Sequence, residues 1–276
     1  MATIAPAAPP LPRSIPTDGT ATYLDAVRSE WTKLRTLRST YWCLAVAAVL
    51  GIGVGALISS LSASHYATDP SVHLGWNPTD RSLRSLTIAQ LAFAVLGVIV
   101  VTGEYSTGMI RTSLAAVPKR IRMFSAKYLV FTAVVVVAGE VISFVTYLVG
   151  QALISGKAPS SSLGDHLVLR AVIGAGLYLA LLALVSAAIG TIFRHAAAGI
   201  GVIIAILLVL PGVGQALPES WSQPIEKYWP TNAGEKVVIL VRDPHTLAAW
   251  TGFLDMAVFT ALVIVLALWL LKRRDA

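Results

Sequence analysis

The sequence predicts an all-α polytopic membrane protein: six transmembrane helices, an N-terminal amphipathic interfacial helix and a short cytoplasmic helix between the second and third spans. Three observations carry that prediction. Of 276 residues, 56% are hydrophobic and only 13% charged, with a mean hydropathy of +0.74, and that charged share is about half the usual one for a soluble protein. Six apolar runs are each long enough to cross about 30 Å of hydrocarbon at about 1.5 Å per residue. The basic residues collect at the ends of those runs, as the positive-inside rule expects. The net charge of +7 is therefore a membrane-flank signature. No basic face with interleaved aromatics stands outside the flanks, so no nucleic-acid partner is expected.

Residues 1–20 hold five prolines and little that could enter a core, which predicts a disordered tail. Residues 21–40 contain a basic amphipathic helix. Leu24, Val27, Trp31 and Leu34 fall on one face, with Arg28, Lys33, Arg35 and Arg38 mostly around the other. Such a helix suits the headgroup layer, where Trp and basic side chains are at home. An ordinary solvated helix is the plainer alternative.

The transmembrane region, 41–276, has its spans near 41–63, 86–103, 128–154, 167–193, 196–217 and 250–271. No cleavable leader is expected, and the first span is expected to act as its own insertion signal. Gly51, Gly55 and Ser59 recur every fourth residue within it. That face allows close helix approach, to a partner in this chain or another. The lone Cys43 permits no intrachain disulfide. Only Phe193-Arg194-His195 interrupts the run between the fourth and fifth spans, and Pro211-Gly212 in the fifth suggests a kink or a helix end. The connection 218–249 carries Trp221, Tyr228 and Trp229 and a short apolar run, 237–241. It reads equally as a partly re-entrant or interfacial helical element or as a loose surface loop.

Fourteen of the 21 Lys and Arg residues fall on the side of the termini and of the loop after the second span. Both termini are therefore expected in the cytoplasm, in a multi-pass protein of the cell membrane. That loop, GEYSTGMIRTSLAAVPKRIRMFSAK (103–127), has helical signals of its own. Ser106 or Thr107 can cap a helix start. Ile110, Leu114 and Val117 follow as one apolar stripe with Arg111 beside them, and Pro118 ends the helix.

Glu140, in the middle of the third span, is costly in hydrocarbon and marks either a translocation path or an interhelical hydrogen bond. Glu104 suits an ion pair with a basic residue of the following loop. Asp255 and Arg170 suit snorkelling and mutual pairing. His65, Asp69 and His73 have ligand chemistry but, with Pro70 between them and no further ligand, predict no metal site. No GxxxxGK[ST] loop, HExxH or GxSxG occurs, so neither phosphate-loop ATP binding nor hydrolase chemistry of those kinds is expected.

EWTKLRTLRSTYW (30–42), GEYSTGMIRTSLAAVPKR (103–120), KYWPTNAGE (227–235) and the closing LLKRRDA together resemble the type-2 ATP-binding-cassette exporter permeases, in the form common in high-GC Gram-positive bacteria. The second motif is the most specific. The resemblance implies a non-enzymatic membrane subunit that works with a separate cytoplasmic ATPase, which carries the ATP and Mg; no cofactor is expected in this chain. It implies a second permease copy or a sister permease, with the substrate path at their seam. Thr107, Ile110, Arg111, Leu114 and Val117 would form the coupling helix that receives the ATPase, alongside the helix at 22–38. Two other classes stay open: a secondary transporter driven by an ion gradient, for which only Glu140 qualifies, and a membrane assembly subunit without transport.

Overall fold

The computed structural model describes residues 22–110, 120–241 and 244–273. The tail 1–20, Arg111, Leu114, Val117 and Lys119 lie outside the described residues. Those that are described fold almost wholly into helices, and no strand occurs among them. Six helices are long and apolar enough to cross a membrane: α2 (Arg38–Thr68), α3 (Pro78–Ser106), α4 (Arg120–Ile154), α5 (Val168–Phe193), α6 (Ala196–Gln215) and α9 (Ala249–Arg273). They follow α1 (Tyr23–Thr36), and two short helices, α7 (Glu219–Tyr228) and α8 (Pro230–Glu235), stand between α6 and α9. With six crossings, α1 and the end of α9 share one face of the bundle.

α5 is the central post. Nearly all of it is buried, and it packs along α3, α4, α6 and α9. Its contacts are close because glycine lets the backbones meet. A Cβ on Gly97 of α3 would stand 2.2 Å from the Ala183 carbonyl oxygen of α5, and one on Gly139 of α4 would stand 2.5 Å from that of Gly176. Without water between helices to expel, such van der Waals contact is what holds spans together.

The small face of α2 finds its partner inside the same chain. Gly51 lies against Ile142 and Thr146 of α4, Gly55 against Thr146 and Ser85, and Ser59 against Gly150. Ser85 also donates a hydrogen bond to the Gly51 carbonyl, 2.6 Å away. That carbonyl belongs to a π-helical turn, Val49–Gly53, in the middle of α2.

One boundary differs from the expected ones, and two breaks take a definite form. α4 begins at Arg120, not near residue 128, because RIRMFSAK contains no Gly or Pro and its Met123, Phe124 and Ala126 are buried. At 35 residues it is about 52 Å long, so its first turns project beyond the hydrocarbon on the α1 face. α6 does not stop at Pro211. A π-helical turn, Ala205–Val209, lies just before the proline and absorbs the register change that a missing N–H demands. The short break between α5 and α6 is real: Arg194 closes α5 with φ 59, and α6 restarts after His195.

The part of the connection at 218–241 is re-entrant. The Trp229 indole donates to the Ile206 carbonyl (3.0 Å), nine residues back from the end of α6. Gly234 packs on Met256, Gly252 on Ala233 and Val237 on Gly174 of α5. The chain therefore dips back into the bundle before α9 begins.

Candidate functional site

The site stands where α1 meets the ends of α3 and α4, on the face that carries the chain's basic flanks. α1 starts with a capping box, in which Thr22 and Asp25 satisfy each other's backbone N–H. The Thr22 hydrogen bonds hold the Asp25 carboxyl below the usual carboxylate range. The helix does not turn toward the bundle the stripe read from the sequence. Leu34 is buried and Val27 half-buried, but Leu24 is 65% exposed and Trp31 50%. The innermost line is instead Ala26, Glu30 and Leu34, about a quarter-turn away. Lys33, expected among the solvated charges, faces inward with it.

Glu30 and Lys33 meet Glu104, from the last turn of α3, and Lys127, from the projecting start of α4. The Lys127 ammonium donates to Glu30 Oε2 at 2.6 Å and Glu104 Oε1 at 2.8 Å. The Lys33 ammonium donates to Glu30 Oε1 at 2.6 Å and the same Glu104 oxygen at 3.0 Å. Each lysine thus bridges both carboxylates in a closed, electrically neutral ring. Glu30 is 1% exposed and Lys127 3%; the Lys33 side chain is partly open. Burial by itself would lower the pKa of Lys33, but the Glu30 and Glu104 carboxylates overcome it and hold the amine above its ordinary range. Glu104 Oε2 is buried with no hydrogen-bond partner among the described residues, so the ring is not fully satisfied.

Such a ring resists partial opening more than it adds stability, because removing one member strands an uncompensated buried charge. Mechanically it ties three elements into one block. The two ends of the segment 107–119 leave from that block, one from α3 and one from α4. Arg120, at the second end, also donates to the Leu271 carbonyl in the last turn of α9 (3.3 Å).

The described edge of that segment differs from the expected capping. Ser106 and Thr107 both donate to the Gly103 carbonyl, at 3.0 and 2.8 Å, and Gly108 takes φ 70. They close the C-terminus of α3 and, among the described residues, cap no new helix. Helical geometry restarts at Met109. Ile110 is 5% exposed and packs within this chain's own core, so it is not open to a partner in this conformation.

Glu140 stands apart from the ring. Its carboxyl lies over Gly176 of α5, at the crossing of α4 and α5. Neither oxygen has a hydrogen-bond partner among the described residues, so the interhelical bond offered as its structural role is not made. Arg170 donates to the Ile239 carbonyl (2.6 Å) and forms no ion pair with Asp255. His73 stacks on Tyr66 and bonds to its carbonyl, while Asp69 accepts from the Ser71 N–H.

Sequence reasoning paired Glu104 with a basic residue of the following loop, as Lys127 is, but missed Lys33 as its second partner and Glu30 as the other carboxylate of the ring. The available signal was their i, i+3 spacing on a helix that abuts a span. A family model described as ABC-2 family transporter protein matches residues 26–212, a range that contains all four ring residues. No curated protein matches the chain.

Proposed function

This chain belongs to the ABC-2 family of transporter proteins, and from that premise we propose that it is an export permease driven by ATP hydrolysis on a separate cytoplasmic ATPase. ATP and Mg bind the partner, not this chain. Two permease copies, or this chain and a sister, assemble in the cell membrane with both termini in the cytoplasm.

The observation that carries the reading is the buried ring. The segment 107–119 leaves from a block in which α1, α3 and α4 are held together by three charge-assisted hydrogen bonds. A push on that segment would move the end of α3, the start of α4 and the interfacial helix together, with the Arg120 contact carrying it toward α9. Packed elements with such discrete contacts transmit displacement rather than absorb it. With Ile110 turned inward, the surface offered to the ATPase falls to Arg111, Leu114 and Val117.

The test is Leu114→Asp. Burying one such aliphatic side chain contributes about 1.5–3 kcal/mol, so its loss should cut ATPase retention on the purified permease about tenfold or more. Membrane insertion and the melting of the permease alone should stay as in the wild type. Normal ATPase retention would rule this segment out as the coupling element. Arg111→Ala should weaken retention less, and in a salt-dependent way, as a screened rim charge does.

A further inference from the structure

On the face opposite α1, a cavity of about 240 Å³ lies between the start of α5, the end of α8 and the start of α9. Two cations line it, Arg170 and Lys236, and no carboxylate does among the described residues. Neither makes an ion pair among the described residues. The Arg170 guanidinium gives one donor to the Ile239 carbonyl, while its Nε is buried with no acceptor. The Lys236 side chain is half-buried and makes no hydrogen bond among the described residues. A buried guanidinium N–H without an acceptor is costly; one oxyanion in the cavity would satisfy it and offset both charges.

The backbone adds to that field. Leu167, at the N-cap of α5, lines the cavity and supplies no side-chain cap. Ala248 and Ala249, at the start of α9, line it too. Two helices of 26 and 25 residues thus bring their positive ends to one space, where anions are favoured. The remaining wall is greasy: Ile239, Leu240, Val241 and Leu247. Val241 and Trp250 nearby are strongly exposed, as residues in a lipid interface are. A small hydrophilic anion would gain nothing from that wall, whereas the phosphate of a lipid arrives with apolar matter beside it.

We propose that this cavity binds the phosphate group of an anionic phospholipid from the leaflet opposite α1, with Arg170 Nε and the Lys236 ammonium as its donors. A lipid held there would staple the re-entrant connection to the starts of α5 and α9.

The experiment is lipid retention by the full-length protein, purified in neutral detergent and followed by native mass spectrometry. Phosphatidylglycerol is the probe, phosphatidylcholine the neutral control and inorganic phosphate the headgroup-only control. One phosphatidylglycerol should be kept in preference to phosphatidylcholine. Lys236→Gln should weaken it about tenfold, the weight of one charge-assisted hydrogen bond, and Arg170→Gln at least as much. Lys157→Gln, an exposed cation outside the cavity, should leave retention unchanged. Because Arg170→Gln also loses the bond to Ile239, Lys236→Gln decides if that variant does not fold. Equal retention of both lipids, or full retention by Lys236→Gln, overturns the proposal. So does binding of inorganic phosphate without any phosphatidylglycerol, which would make the cavity a free-anion site.

Discussion

Lys127→Met is the sharpest probe of the ring. Methionine nearly matches the lysine stem in volume, so the change removes charge without opening a cavity. It deletes the 2.6 Å and 2.8 Å bonds to Glu30 and Glu104. Two buried carboxylates are then left to share Lys33, and the ring becomes a net anion. Breaking one partner out of a buried ion pair costs about 3–5 kcal/mol, and burial of Glu30 and Lys127 leaves little solvent to screen it. For a chain of this size the melting temperature in detergent should fall on the order of 10 °C. If the loss is local, α1 should detach first. Tryptic cleavage at Arg28 and Arg35, both exposed on α1, should then speed up about a hundredfold, the equivalent of the lower figure. Lys33→Met should cost less, because the Lys33 side chain is partly solvated. Glu30→Gln combined with Lys127→Met restores charge balance and should recover part of the loss, as coupled neighbours do. The reasoning fails if Lys127→Met melts and digests like the wild type. It also fails if the double variant loses the sum of the two single losses.

Other positions give independent checks. Gly97→Ala places a methyl where the Ala183 carbonyl stands 2.2 Å away, so α3 and α5 must separate; overpacking of this kind should lower stability by about 1–3 kcal/mol, read as a melting shift. Glu140→Gln should fold normally and Glu140→Ala should fold too, since no hydrogen bond is lost among the described residues; a fall in transport in both, at unchanged melting, would place this carboxyl in the path, and normal transport in both would remove it from consideration. In a Cys43→Ser background, single cysteines at Lys119 and at Ser161 or Ser222 should label from opposite sides of the membrane with an impermeant reagent. Labelling of positions 119 and 161 from one side would end the six-span topology.

Much of the architecture could be read residue by residue. Hydrophobic length alone located six crossings, because a backbone in hydrocarbon must satisfy its own hydrogen bonds and a helix needs about 20 residues to do so. The charge of Arg194, with the length of the combined apolar run, was enough to divide α5 from α6. The amphipathic pattern of 22–38 located α1 but not its rotation. The buried line Ala26, Glu30 and Leu34 is not the most apolar one, and no hydrophobicity pattern selects a face that buries a glutamate. Likewise Pro211 reads as a kink or a helix end, and only the π-helical turn before it shows how the helix continues.

What the sequence determined by itself is therefore the set of properties that each segment carries alone: span number, helix class, the basic face and the family motifs. Tertiary structure decided which segments share a surface. Gly51, Gly55 and Ser59 could serve any helix until α4 was seen to cover them. Glu30, Lys33, Glu104 and Lys127 are ordinary flank charges until three helix ends converge. Arg170 and Lys236, 66 positions apart, share a cavity only because the chain after α6 folds back into the bundle. The physical reason is the same in each case. Helix formation is settled by local hydrogen bonds and by solvent, whereas a buried charge is tolerable only beside its partner, and the sequence does not state that distance.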